Sequence, residues 1–201
     1  MTRKISLAVA EGALDSAAAD RLLDVLEVKE QGFVVIDKRG GTSFWPEVHR
    51  YNDAAEFCGP ILGLVDLEGG PCPSALIAKH LPHGRNPDFV LRIAERMLES
   101  WLLADRRRIA EYLRVPVTRI PATPDELDHA KLELVNIARR SRSREIREDM
   151  VPEPGTSGII GKGYTTHVQT FIRERWNPLD AQHASGSLQR AIRAIQARCL
   201  E

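Results

Sequence analysis

An α/β fold, with a parallel sheet flanked by helices and a helical C-terminal half, is what this sequence predicts. Three observations carry that reading. Short apolar runs alternate with segments of helical period through the first half, the pattern of strands laid parallel with helices on the sheet's faces. Two of the runs close on acidic residues, at Glu11 and at Asp66. From about Val115 the texture changes: Pro116, Pro121 and Pro124 make a linker-like stretch, and only helical period follows. At 201 residues the chain suits a well-cored domain with a helical extension. The expected boundaries are residues 1–114 for the α/β core and 115–201 for the extension packed on it.

Residues 4–10 (KISLAVA) form an apolar run with a β-branched start that ends at Glu11-Gly12, a buried strand meeting a turn. Leu14, Ala18, Leu22, Val25 and Leu26 recur at helical spacing behind a cap at Asp15 or Ser16, so a helix is expected to about Lys29. Residues 33–36 (FVVI) read as the second strand, and 40–53, with its glycines and Pro46, as a loop. Residues 61–65 (ILGLV) form the third strand, closed by Asp66. The glycine- and proline-rich stretch 68–85 follows, with a short helix near 74–80. Residues 89–94 (FVLRIA) fit either a fourth strand or the start of the next helix.

Leu98, Trp101, Leu102 and Asp105 share one face of a helix ending near Ala104, and another short helix covers 107–113. In the second half, Leu127, Ala130, Leu134, Val135 and Ala138 predict a helix over 126–141. A glycine-rich loop spans 152–163. Helices over 167–175 and 188–200 finish the chain, the last with Leu188, Ala191, Ile192 and Ile195 inward.

Composition narrows the function classes. Lys plus Arg and Asp plus Glu are 28 each, so no global field draws the chain to nucleic acid or membrane, and binding must come from a local patch. No apolar run approaches bilayer length. Glu11 interrupts the N-terminal run before a signal-peptide core is complete, so the cytoplasm is the expected compartment, with no membrane partner. Cys58, Cys72 and Cys199 lack Cys-x-x-Cys spacing and read as reduced thiols. There is no Gly-x-Ser-x-Gly elbow and no P-loop spacing. The histidines are scattered, and none is assigned to a metal.

The acids at the strand ends are the chemical signal. In an open α/β sheet, ligands bind outside the carboxyl ends of the strands. Glu11 follows the first strand, while Asp66 and Glu68 follow the third, two apart in an extended segment and so projecting to one side. Three crowded carboxylates repel one another, and a hard cation such as Mg2+ or Mn2+ relieves the repulsion. Such a site activates water or clamps a phosphate. Acids past strand ends are also ordinary turn residues, and spacing alone does not choose between the two.

Glu11-Gly12-Ala13-Leu14-Asp15, followed by Ala18 and Leu22-Leu23, resembles the opening of the Toprim superfamily, and Asp66-Leu67-Glu68 stands where that superfamily carries an Asp-x-Asp pair. The second acid departs from the usual aspartate. The block Glu99-Ser100-Trp101-Leu102-Leu103-Ala104-Asp105 is similar to one in small bacterial proteins of unknown function. The segments Ile120-Pro121-Ala122, Asp149-Met150-Val151-Pro152, Gly161-Lys162-Gly163-Tyr164 and Trp176-Asn177-Pro178 are similar to theirs too. That family in turn resembles the Toprim-like nucleases of phage defence, of the overcoming-lysogenization-defect type. The resemblance implies a Mg2+- or Mn2+-dependent nuclease on a Toprim-like sheet, working beside an ATPase partner. It implies Glu11 and Glu99 as catalytic residues, with Asp66, Glu68 and Glu11 on the metal.

Several residues keep two readings. Glu95 and Glu99 lie four apart on a helix, where like charges cost about 0.2–0.5 kcal/mol; Glu95 suits a surface ion pair and Glu99 either role. Trp101 suits the core and Asp105 a helix cap. Arg139, Arg140 and Lys131, with Lys162 in the glycine-rich loop, are the candidate contacts to the backbone of DNA or RNA. Glu145, Glu148 and Asp149 interleave with that arginine run, as on a solvated, ion-paired face. Beside the nuclease stand two other expectations: a non-catalytic partner subunit of an ATPase, and a hydrolase of a small phosphorylated molecule.

Overall fold

The structure is a computed structural model that describes residues 3–67 and 72–199. It divides into two compact units: Met1–Glu95 with Gln189–Glu201, and Arg96–Leu188. The second unit begins ahead of the proline-rich stretch near 115, and the last helix returns to the first.

The first unit holds a four-stranded, all-parallel sheet in the order β2-β1-β3-β4. After β1 (Ile5–Ala10), Gly12 opens α1 (Ala13–Val25), and the Asp15 carboxylate accepts the Gly12 N–H at 3.1 Å. The helix stops earlier than its apolar period suggests. Glu27 adopts φ +59, a left-handed residue that reverses the chain, so Lys29 already lies in β2 (Lys29–Asp37). The first half of β2 is polar and on the sheet's edge, which hides it from a search for apolar runs.

Residues 40–53, expected as a loop, are helical. They form α2 (Gly41–Phe44), a 3-10 turn over Trp45–Glu47, and α3 (Val48–Cys58). Phe44, Val48 and Ala55 are buried, with Tyr51 packed beside them. That is a helical stripe, and Pro46 occupies an opening turn that needs no amide donor.

The chain continues through β3 (Ile61–Asp66), α4 (Pro73–His80) and β4 (Phe89–Ala94). Val9, Ile61, Val65, Phe89, Leu91 and Ile93 form one core with Phe44, Val48 and Ala55. Alternate strand positions (Ala8, Ala10, Leu62, Leu64 and Val90) point to the opposite face and are also buried. Both faces are covered, as an all-parallel sheet requires.

The second unit is helical. It comprises α5 (Leu98–Ala104), α6 (Arg106–Tyr112), α7 (Ala130–Ala138), α8 (Arg144–Met150), α9 (Tyr164–Glu174) and α10 (Pro178–Ala181), with 3-10 turns at Val117–Arg119 and Pro124–Glu126. Every residue of α5 is buried. Its Trp101 indole N–H donates to the Ser187 hydroxyl at 3.1 Å, and Trp176 donates to the Trp101 carbonyl at 3.3 Å.

Two expectations are corrected here, and one helix was not foreseen. Asp105 sits at the N-cap position of α6, but its side chain does not cap that helix; it accepts the Asn177 N–H at 2.9 Å and pairs with Arg108. The helix expected over 126–141 shortens to α7, because Leu127 is extended at ψ 132. In α8 only Ile146 and Met150 are buried among charged neighbours, which leaves little apolar period to read. Between α8 and α9 the chain packs tightly. A Cβ at Gly161 would stand 2.2 Å from the Asp149 carbonyl oxygen.

Finally, α11 (Gly186–Cys199) ends in the first unit. The Arg3 N–H donates to the Cys199 carbonyl at 2.8 Å. Asp88, just ahead of β4, takes both nitrogens of the Arg3 fork at 2.6 and 2.9 Å and also pairs with Arg198. One mostly buried carboxylate thus ties β1, β4 and α11 together.

Gly161→Ala should lower stability by about 1–3 kcal/mol or more, because the clash is with backbone. An unchanged urea midpoint would contradict the packing. The hydrogen bond from Arg3 holds the Asp88 carboxyl below its usual 3.8. A depressed folded-state value means the stabilisation is present above about 3.8 and lost as pH falls through the folded value. Asp88→Asn should therefore cost about 1.5–3 kcal/mol at pH 7. Its deficit against the wild type should shrink below pH 3.8; a deficit constant down to pH 2 would show that the charge is not the cause.

Candidate functional site

From β1 the chain moves outward to β2, then returns past β1 to form β3 on its other side. The direction of winding therefore reverses between β1 and β3, and such a switch point opens a crevice at the carboxyl ends of those strands. Glu11 follows the last residue of β1, and Asp66 is the last residue of β3.

The two acids meet there. Glu11 Oε2 accepts the Asp66 backbone N–H at 3.3 Å. The Glu11 backbone is held from both sides, its N–H on the Leu64 carbonyl at 3.0 Å and its carbonyl accepting from Gly40 at 2.7 Å. The other carboxylate oxygen lies against α2: a Cβ at Gly41 would be 3.1 Å from Glu11 Oε1. Glycine at 41 thus leaves room for the carboxylate. Glu11 and Asp66 are both half-buried. Glu68, the third acid expected here, lies outside the described residues.

Beside this pair stands an aromatic shelf that the sequence reading missed when it left 40–53 as a loop. The Trp45 indole stacks on the His80 ring, with centroids 4.5 Å apart at 27°. Trp45 Cδ1 is 3.7 Å from the same Cβ position at Gly41. Burial, with a smaller contribution from Lys79, lowers the His80 pKa, so the ring is neutral at neutral pH. Lys38, just past β2, pairs with Glu47 at 2.6 Å, and that bond raises its pKa. The signal available in the sequence was the spacing of Phe44, Val48, Tyr51 and Ala55.

The donor chemistry fits a hard cation. Two carboxylates from neighbouring strands suit Mg2+ or Mn2+, ions that take oxygen ligands and leave several positions to water and substrate phosphates.

The remaining site expectations fall in the second unit. Glu99 lies on α5 and is 1% exposed. Its Oε1 accepts from the Tyr164 hydroxyl at 2.8 Å and lies 3.8 Å from the Lys131 ammonium, while Oε2 has no hydrogen-bond partner among the described residues. Lys131 is thus engaged with an interior acid. Lys162 is exposed and pairs with Glu153 at 2.7 Å. Arg139 and Arg140 are exposed and enter no ion pair among the described residues. Glu95, in the first unit, pairs with Arg190.

One further set of metal-donor side chains, Glu145, Asp149 and His167 of α8 and α9, comes together in the second unit. No family model matches this chain, and neither the curated proteins nor the solved structures contain a match to it.

Glu99 offers a direct test of whether an interior acid works structurally or chemically. Glu99→Ala removes the acceptor of Tyr164 and opens a cavity, so a loss of about 2–5 kcal/mol is expected. Glu99→Gln keeps an acceptor oxygen and the shape, and should stay within about 1.5 kcal/mol of wild type. A glutamine variant as unstable as the alanine one would show that the carboxylate's charge, not its shape, is what the fold needs.

Proposed function

We propose that this protein is a divalent-metal-dependent nuclease of Toprim-like type, hydrolysing phosphodiester bonds of DNA or RNA with Mg2+ or Mn2+. The observation that carries the reading is the pairing of Glu11 with Asp66 at the switch point of the sheet. A parallel sheet binds its ligands there, and the two acids at that edge offer oxygen donors for a cation bound together with a phosphate.

Asp66 and Glu11 would hold the cation, with Glu68 following in the same segment. When bound, the cation supplies charge stabilisation at a phosphoryl oxygen and a more acidic water. The chain's own contribution is placement. The Asp66 amide holds the Glu11 carboxylate, and the missing side chain at Gly41 leaves it room, so that it can accept a proton from an attacking water. Trp45, stacked on His80 beside that carboxylate, is an apolar surface for a base.

Arg139 and Arg140 are the favoured phosphate contacts, being exposed and outside the ion pairs that occupy Lys131 and Lys162. Glu99 enters this proposal as a structural acid. The biological setting that goes with the reading is phage defence in the cytoplasm, beside an ATPase partner protein. A second reading, hydrolysis of a small phosphorylated molecule, draws on the equal numbers of basic and acidic residues. Among the described residues, no helix is long and apolar enough to cross a membrane.

The test is hydrolysis of single-stranded DNA, duplex DNA, RNA and a free phosphate ester by the full chain, with Mg2+ or Mn2+. Cleavage of a polynucleotide is expected, with Glu11→Gln and Asp66→Asn each slowing it about 100-fold or more, the rate equivalent of about 3 kcal/mol of lost charge stabilisation. Cleavage of the ester alone would favour the second reading. No hydrolysis of any substrate, or rates untouched by both substitutions, would sink the enzyme and leave the ATPase-partner role.

A further inference from the structure

We propose that Glu145, Asp149 and His167 form a second divalent-cation site, of the Zn2+ class, within the helical unit. Glu145 and Asp149 are four residues apart on α8 and so share a face. His167 comes from the first turns of α9. One donor atom from each side chain lies within 4.8 Å of the other two. His167 Nε2 and Asp149 Oδ2 are 3.0 Å apart. Two ligands about 2.0–2.2 Å from a tetrahedral Zn2+ stand about 3.4 Å from each other, so a small further separation of this pair would admit the ion.

The hydrogen bonding around His167 points to a cation. The Tyr112 hydroxyl has one proton, and it donates this to the His167 carbonyl at 2.9 Å. The same hydroxyl stands 3.2 Å from His167 Nδ1, so the ring is held through its outer nitrogen while Nε2 is aimed at Asp149. Nε2 faces the Asp149 carboxylate at 3.0 Å, so a positive centre, a proton or a metal ion, belongs between them. A proton on Nε2 serves the His167–Asp149 contact alone, whereas a metal ion serves all three donors.

An oriented imidazole with its second nitrogen bonded outward is also the arrangement that metal-binding histidines adopt. One nitrogen and two carboxylate donors favour Zn2+, Co2+ or Mn2+ over Ca2+. Three protein ligands leave a fourth position for water or a ligand anion.

The surrounding packing serves the same end. The Gly163 N–H donates to the Asp149 carbonyl at 2.9 Å. A Cβ at Gly163 would stand 2.6 Å from the Asp149 Cβ. Glycine is therefore what lets the start of α9 approach the end of α8 closely enough to bring His167 against Asp149.

The experiment uses the full chain carrying Glu11→Gln and Asp66→Asn, which removes the donors at the sheet edge. It is titrated with Co2+, followed by visible absorption, and with Zn2+ by calorimetry. One equivalent of each should bind. His167→Gln and Asp149→Asn should abolish the signal, and Tyr112→Phe should weaken binding about 10-fold, as loss of an outer partner does. Glu145 is exposed, so Glu145→Gln tests the site without disturbing the core and should weaken binding about 10-fold or more. Circular dichroism confirms that each variant is folded. Absence of Co2+ and Zn2+ binding by the folded chain, or binding unchanged by Glu145→Gln and His167→Gln, would overturn the proposal.

Discussion

Two parallel strands cannot be joined by a hairpin. Between β1 and β3 the chain therefore leaves the sheet, builds β2 on the far edge, and comes back through α3 before pairing with β1 again. That parallel pairing of β1 with β3 fixes nearly everything else in the first unit. It sets the strand order and buries both strands on both faces. It also brings Glu11, from the beginning of the chain, against Asp66, whose amide it accepts. A register shift of one residue would turn Glu11 toward a covered face and separate the pair. The candidate chemistry is thus a product of topology, with the two acids brought together by the strand order.

The same pairing explains why the ends of the unit need tying. β4 is an edge strand, and the end of α11 helps to support it. Asp88 does that work by holding Arg3 at the start of β1 and Arg198 on α11. A bidentate guanidinium pair is directional, so the contact fixes orientation as well as proximity. Charge in this protein is spent on placing elements, which is consistent with the equal numbers of acids and bases and the absence of a single dominant field.

Legibility in the sequence followed burial. β1 and β3 were readable because strands buried on both faces are continuous apolar runs, and α5 because all its residues are interior. β2 was half hidden, since an edge strand is free to be polar. α2 and α3 were read as a loop, because glycines and Pro46 outweighed a stripe of four residues. That error concealed Trp45 and Gly41, which shape the surroundings of Glu11. The Glu11 and Asp66 positions were legible from strand ends alone. The Glu145, Asp149 and His167 group was not: its members are 18 residues apart at the widest step, and what unites them is the close approach at Gly161 and Gly163.

The buried and half-buried acids of the helical unit give that group its meaning. Asp105 is answered by an amide and Arg108, and Asp125 by the Ser185 hydroxyl and the Ser187 amide. Glu99 is answered by Tyr164 and, at longer range, by Lys131. In each case a donor with its own proton or charge faces the carboxylate, as burial demands. At α8 and α9 the pattern changes, because His167 Nε2 faces Asp149 with a second carboxylate, Glu145, within reach of both. A folded chain does not bring acceptors together without something positive between them. A proton would make the contact an ordinary ion pair between Asp149 and His167, leaving Glu145 as a bystander. A cation makes use of the third donor as well, and gives a reason for the glycines that bring the two helices so close.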